Sequence, residues 1–435
     1  MIKKTIKNVV PNFLLGWYHY VLSFFGALAC GFPSRKIKVI GITGTNGKTT
    51  TANLAAAILE AAGYKVGVVS SIKFKIGQQE KENTLKMTMP GRSVLQRFLK
   101  DAVKARCDYA IIECTSEGVL QHRHRFIKWQ TMVFTNLSPE HIERHGGFVN
   151  YRAAKGEYFR ACKNIHIINT DDENVEYFLK FSSEQKLCYG FDNLKIKKLE
   201  IGNWKFIKAA NLQMDENGIK FSVDNKPFAL NLIGGFNASN ALAAIGVGLS
   251  QSVSLEVCQK ALAKAGGVPG RMEEIISQPF RAIVDYAFTP NALEQVYATL
   301  RPTNQPASQL ICVFGACGGG RDKWKRPVLG QIAAKYCNEV IITNEDPYDE
   351  NPMDIINQVA EGVKGAKRLI TCKAPSALQK ILDRREAIRK ALEIAKSGDT
   401  VIITGKGCEP WICAANGKKI PWDDRHVVRE EFNKI

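Results

Sequence analysis

Apolar runs closed off by glycine, proline and polar residues divide the chain into alternating short strands and helical segments. Between residues 38 and 170, Lys38–Thr43, Lys65–Ser71, Tyr109–Cys114, Thr131–Thr135 and Ile165–Asn169 are continuous, β-branched runs of the kind buried on both faces of a sheet. The stretches between them repeat apolar residues at helical spacing, as Thr49–Ala62 does, which predicts a parallel sheet covered on both sides. From 186 to 233 the rhythm changes. Lys205–Ala209, Ile219–Val223 and Phe228–Leu232 are short β-rich pieces joined by turns at Asn203, Asn217-Gly218 and Asp224-Asn225, and they read as an antiparallel appendage. Helices resume at Asn237–Leu249 and Ser254–Lys264. Gly266, Gly267, Pro269 and Gly270 mark a boundary, after which Ala282–Asp285, Gln309–Phe314, Glu339–Thr343, Lys367–Ile370 and Thr400–Thr404 begin a second alternating series. The fold class expected is α/β, with a central parallel-sheet domain over 37–268 bearing the β appendage and a C-terminal Rossmann-like domain over 269–435.

Residues 1–36 form a third part. Lys3, Lys4 and Lys7 precede Phe13–Phe32, which contains no formally charged residue and is closed by Arg35 and Lys36. Its length would span a bilayer core, and Ala27-Leu28-Ala29 resembles a cleavage site. Trp17, Tyr18, His19, Tyr20, Ser23 and the glycines favour a helix docked on the domain or lying at a membrane surface, so residues 13–32 are a peripheral membrane contact to be tested.

Composition narrows the function. The chain has 435 residues, 45% hydrophobic and 23% charged, enough for two or three soluble domains. The net charge of +18 is spread along the chain without an aromatic-basic RNA signature, which disfavours nucleic acid and leaves an anionic membrane surface or acidic small substrates. Its 12 cysteines include no C-x-x-C pair and suit a reducing, cytoplasmic compartment.

The chemistry starts where the first strand ends. Gly44-Thr45-Asn46-Gly47-Lys48-Thr49-Thr50 is a tight glycine loop running into a helix. Unpaired N–H groups at such a helix start stabilise a phosphate, the glycines let the backbone approach it, Lys48 can reach the outer phosphates, and Thr49 offers a hydroxyl to Mg2+. The loop is shorter than the general P-loop. ATP binding and a P-loop-type ATPase domain are expected. Glu113 closes an apolar strand on the same sheet edge, where ligands of open α/β sheets collect. His141 and His145, four apart, would share one face of a helix.

GTNGKTT from Gly44 resembles the loop of the Mur ligases and folylpolyglutamate synthetases, and ECTSEGVLQHR from Glu113, TNLSPEHIERHG from Thr135 and YRAAK ending at Lys155 are similar to the Mur ligases in order and spacing. The resemblance implies that Glu113 and His141 hold a second Mg2+, with Thr49 on the first, and that Lys155 is carbamylated to an anion that orients the two ions. It implies adenine contacts from Asn237 and Asn240, a γ-phosphate contact from Arg271 and a ribose contact from Asp285. GACGGGRDKWKRP, TNEDPYDENP, DRREAI and GKGCEPW look like the tripeptide synthetase branch. That likeness implies Arg321, Glu345, Asp346, Gly405 and Glu409 around an incoming amino acid, and Thr88, Thr115 and Arg123 at the acceptor UDP-N-acetylmuramoyl-L-alanyl-D-glutamate.

The implied reaction is ATP-dependent amide formation through an acyl phosphate, in a monomer of the peptidoglycan pathway. Three departures modify it. Enzymes of the branch that use diaminopimelate have DNPR where this chain has Glu345-Asp346-Pro347-Tyr348; the arginine for a distal carboxylate is replaced and Glu345 adds negative charge, which favours a lysine-like amino acid. Cys408 replaces the histidine of GKGHE, and Thr115-Ser116-Glu117 replaces Ser-Ser-His. Only about 36 residues precede the first strand, too few for the family's UDP-binding domain, so the acceptor is expected to be held differently, with a lipid-linked acceptor at the membrane surface as the hypothesis. A folylpolyglutamate-type ligase, a Mur-type amidating ligase that works on lipid-linked muropeptide, and a non-catalytic ATP-binding scaffold at the membrane are the alternatives.

Overall fold

The computed structural model describes residues 12–191, 204–301, 308–366 and 375–435. They divide into two compact units, the first comprising residues up to 138 with 148–231 and 235–265, the second comprising 139–147, 232–234 and 266–435.

The first unit is built on one eleven-stranded sheet. Its strands are β1 (Lys38–Thr43), β2 (Val66–Val69), β3 (Lys73–Ile76), β4 (Gln79–Glu82), β5 (Tyr109–Cys114), β6 (Trp129–Phe134), β7 (Ile165–Asn169), β8 (Gln185–Gly190), β9 (Trp204–Asp215), β10 (Gly218–Val223) and β11 (Lys226–Leu230). The spatial order is β11-β10-β9-β8-β7-β6-β1-β5-β2-β3-β4. The centre is parallel, with β1 between β5 and β6, and its Val39, Ile40 and Ile42 are fully buried. The central strands β1, β2, β5 and β7 are buried almost along their whole length, as unbroken apolar strands require, whereas β4 at the edge is exposed. The expected antiparallel β appendage is present as β9, β10 and β11. β8 and β9 pair in parallel, and long β9 turns antiparallel into β10 and β11, so this hairpin continues the main sheet. Asp224 and Asn225 make the predicted tight turn with φ of 47° and 62°, the left-handed conformation that short polar side chains tolerate. The turn at Asn203 lies outside the described residues.

The second unit has a six-stranded sheet ordered β12-β13-β17-β14-β15-β16, from β12 (Glu273–Ile276), β13 (Arg281–Asp285), β14 (Leu310–Phe314), β15 (Glu339–Thr343), β16 (Ala377–Ile381) and β17 (Thr400–Thr404). All pairings except β12–β13 are parallel, and the four central strands are almost wholly buried. The strand expected at Lys367–Ile370 lies outside the described residues; β16 is an edge strand whose half-polar sequence gave no apolar signal. The N-terminal run forms a helix, Asn12–Ala29, packed beside the helix Arg92–Lys104. Among the described residues no helix is long and apolar enough to cross a membrane.

Candidate active site

The end of β1 feeds the glycine loop, and the helix Lys48–Ala61 starts directly after it. Gly47 caps that helix at φ 81°, and a Cβ there would stand 2.2 Å from Asn240 Oδ1, so only glycine fits. Thr49 and Thr50 are buried in the first turn. The loop is held from outside. Asn136 accepts from the Asn46 N–H at 2.9 Å through its side chain and from the Thr45 N–H at 2.9 Å through its carbonyl, while the Thr135 hydroxyl donates to the Asn46 carbonyl at 2.8 Å. Lys155, 2% exposed in the helix Phe148–Ala161, donates to the Gly44 carbonyl at 2.8 Å and lies over the Tyr151 ring, whose hydroxyl reaches Thr45 Oγ1 at 3.0 Å. Lys48 folds back onto the carbonyls of Gly44 and Thr45 at 3.0 and 2.9 Å. Asn240 donates to Asn237 Oδ1 at 3.0 Å, and its own Oδ1 lies against Gly47, so this pair braces the helix start.

Glu113 stands at the carboxyl end of β5, paired in register beside Ile42 of β1. Its buried carboxylate accepts from the Ser71 N–H at 2.9 Å and lies 3.2 Å from the Ser71 hydroxyl, which is also 2.9 Å from Thr88 Oγ1. Ser71 was not among the predicted residues, because an isolated serine after a strand carries no pattern. Thr115 caps the helix Ser116–Leu120 by accepting from the Gly118 N–H at 3.1 Å. Arg123 is buried, donating to the Met89 carbonyl and to Gln121 Oε1. The hydroxyl and carboxylate oxygens of Thr49, Ser71, Thr88 and Glu113 are the hard donors that suit Mg2+. No group of three or more acidic, histidine or cysteine side chains in metal-binding array occurs among the described residues.

His141 belongs to the second unit, whereas Glu113 and Lys155 belong to the first. It is not on a shared helical face with His145: the helix is only Ile142–His145, and His141 precedes it in a left-handed conformation, φ 56°. The segment is clamped. Asp322 accepts from the N–H groups of Ile142 and Glu143 at 3.0 Å each, supplying a negative charge to the free N–H groups of the helix start. Glu140 and Lys325 form a buried ion pair at 2.9 Å, and Arg321 Nη1 lies 3.4 Å from His141 Nε2.

The remaining predicted residues converge in the second unit. Lys406, fully buried, binds Asp346 at 3.1 Å and Glu409 at 2.6 Å; Glu409 also accepts from the Tyr286 hydroxyl at 2.6 Å. Glu345 is buried, with the Cys317 thiol donating to its Oε1 at 2.9 Å while Oε2 accepts no hydrogen bond from the described residues. Burial pushes the Glu345 carboxyl above its usual range, with the neighbouring Asp346 adding to the effect. Gly405, at φ 106°, leaves open the space beside that oxygen: a Cβ there would come within 2.6 Å of Oε2. The Tyr348 ring packs over Gly319, where a Cβ would approach it to 2.4 Å. Arg271 stacks on Tyr286 at 4.2 Å. Asp285 is buried and accepts from the N–H groups of Met272 and Ala287 at 2.8 and 2.6 Å, which fixes the turn beside Arg271.

The Mur ligase middle-domain model matches residues 42–248, and the Mur ligase glutamate ligase domain model matches 270–407. A UDP-N-acetylmuramoyl-L-alanyl-D-glutamate--2,6-diaminopimelate ligase of Clostridium botulinum is 36% identical over 412 residues, covering 93% of this chain and 80% of its own. The chain belongs to the Mur ligase family. A UDP-N-acetylmuramyl-tripeptide synthetase of Roseiflexus sp. is 34% identical over 98% of this Mur ligase and 83% of its own length. A solved structure of a UDP-N-acetylmuramoyl-L-alanyl-D-glutamate--2,6-diaminopimelate ligase superposes with a TM-score of 0.58 at 30% identity, covering 92% of this chain and 78% of that one. As a Mur ligase the protein is an ATP-dependent ligase of peptidoglycan precursor synthesis. The two sheets and the expected α/β class agree with that family.

Proposed function

We propose that this Mur ligase joins an amino acid with a cationic side chain, lysine or ornithine, to a muramoyl-L-alanyl-D-glutamate acceptor. The observation that carries the choice of amino acid is Glu345 Oε2, a buried carboxylate oxygen with no hydrogen bond from the described residues, facing the space that Gly405 leaves open. A side-chain ammonium would satisfy it, whereas a second carboxylate would be repelled and would find Tyr348 in place of a cation. Asp346 and Glu409 are already engaged by Lys406, so Glu345 is the acid left for the substrate.

The chemistry is that of an acyl phosphate. A carboxylate oxygen of the acceptor attacks the γ-phosphorus of ATP and ADP leaves; the amine nitrogen then attacks the acyl carbon and phosphate leaves, the amine giving up a proton as the amide forms. Gly44–Thr50 would cradle the phosphates, with Lys48 turning from the loop carbonyls toward them, and Arg271 would offset charge at the γ-phosphate. Asn237, Asn240 and Asp285 are proposed for the nucleoside, and Thr88, Thr115 and Arg123 for the acceptor. Thr49, Glu113, His141 and carbamylated Lys155 are the residues proposed to hold two Mg2+ ions, which when bound neutralise phosphate charge. Lys155 supports this as a buried amine hydrogen-bonded to the Gly44 carbonyl of the phosphate loop.

Phosphate release with the UDP-linked muramoyl dipeptide, measured against lysine, ornithine and diaminopimelate, tests the reading. Lysine or ornithine should give the highest kcat/KM. Turnover only with a lipid-linked acceptor would replace the acceptor and keep the amino acid; preference for diaminopimelate would defeat the assignment to Glu345.

A further inference from the structure

The helix Asn12–Ala29 turns the wrong side outward for an ordinary surface helix. A helix on a soluble domain buries its large apolar residues and exposes polar ones. Here the buried side is small and polar: Ser23 and Ala27 are almost fully covered, a Cβ on Gly26 would reach Ser93 at 3.7 Å, and His19 bonds Arg92. With half-buried Val21 between them, Leu14, Trp17, Tyr18, Phe24, Phe25 and Leu28 recur at spacings of three and four along the opposite side, and these six are exposed, Trp17 to 72% and Phe25 to 56%. The ring system continues past the helix, with Phe126 5.1 Å from Tyr20 and 5.4 Å from Phe24, and Phe32 6.2 Å from Phe24.

The charged side chains flanking this face are mostly basic, and the acid that reaches the helix, Glu117, acts on His19 of its docked side. No Asp or Glu occurs in the first 59 residues. Arg35, Lys36, Arg125 and Lys128 are exposed on the two segments whose Phe32 and Phe126 pack against the helix, and Arg35 lies 4.8 Å over the Phe32 ring. An apolar aromatic face bordered by basic side chains, on a helix unable to span a bilayer, matches a helix lying in the interface of an anionic membrane. We propose that this face seats the enzyme on an anionic phospholipid surface. The inference is independent of the amino acid that the enzyme adds and concerns where the reaction takes place.

Cosedimentation of the full chain with vesicles of phosphatidylglycerol and phosphatidylcholine, against pure phosphatidylcholine, is the test. Binding should require the anionic lipid and weaken with salt. Trp17→Ser/Phe25→Ser, whose side chains already face solvent, should lower partitioning at least about tenfold. Arg35→Ser/Lys36→Ser should lower it roughly thirtyfold, from roughly fivefold per basic residue near an anionic surface. Both variants should keep the thermal transition and the rate with soluble substrates. Absence of binding to anionic vesicles, or binding that the aromatic variant leaves unchanged, overturns the proposal. So does a lipid-independent dimer that Trp17→Ser/Phe25→Ser dissociates, because a second copy would then cover the face.

Discussion

Replacing Glu345 by glutamine keeps the size and shape of the side chain and removes only its charge. The carboxylate is buried, its Oε1 receives the Cys317 thiol, and Oε2 borders the open space at Gly405. If an ammonium group of the incoming amino acid is paired there, its loss should cost about 2–4 kcal/mol, the lower part of the range for removing one partner of a buried hydrogen-bonded charge pair. That corresponds to a fall in kcat/KM for lysine of roughly 30- to 1,000-fold, with ATP KM unchanged. The pH dependence gives an independent reading. Burial holds the empty Glu345 carboxyl above its usual range, and an arriving cation favours ionisation, so binding lysine releases a proton. The KM for lysine should therefore fall as pH rises through that elevated range, until the amine itself loses its proton near a pH of about 10. Glu345→Gln should abolish the lower limb. Initial rates of phosphate release across pH, for both proteins, would measure both effects. A variant within about threefold of the wild type for lysine, with the same pH profile, would refute the reasoning.

Asp424→Ala should destabilise the second unit by about 3–5 kcal/mol, because it strips both carboxylate bonds from the buried Arg384 guanidinium, now held at 2.8 Å; calorimetry should also show recovery in Arg384→Met/Asp424→Leu, and failure to recover would point to lost packing. Gly47→Ala should raise the ATP KM strongly, since its φ of 81° and the 2.2 Å approach to Asn240 force the loop to move; an unchanged KM would show that the loop does not carry the nucleotide. Lys155→Ala should abolish ligation and regain part of it with short carboxylic acids, and full activity without them would remove the carbamate.

The central strands were readable because burial on both faces leaves continuous apolar runs; Lys38–Thr43, Tyr109–Cys114 and Thr400–Thr404 have the predicted limits. Short edges were not. Lys73–Ile76 alternates charge with apolar residues and Gln79–Glu82 is wholly polar; the first is fixed by pairing with β2 and the second by pairing with β3, contacts that no local pattern announces. The glycine loop was legible since lysine, threonine and glycine occupy fixed places in it. The groups that brace it, Thr135, Asn136 and Tyr151, act through carbonyls, amides and a hydroxyl that come from about 90 to 106 residues away. His141 was found by resemblance, but its left-handed backbone and the support from Asp322 arise from the second unit and contradict the helical spacing that first drew notice.

The nine residues 139–147 are owned by one unit while the chain on either side of them is owned by the other, so the polypeptide passes between the units again and again instead of once. A cut at residue 265 would thus release an amino-terminal fragment whose Glu140 has been parted from Lys325 and whose Ile142 and Glu143 amides have been parted from Asp322. Neither half can be prepared whole by trimming an end, and dissection of this enzyme calls for substitutions in the intact chain.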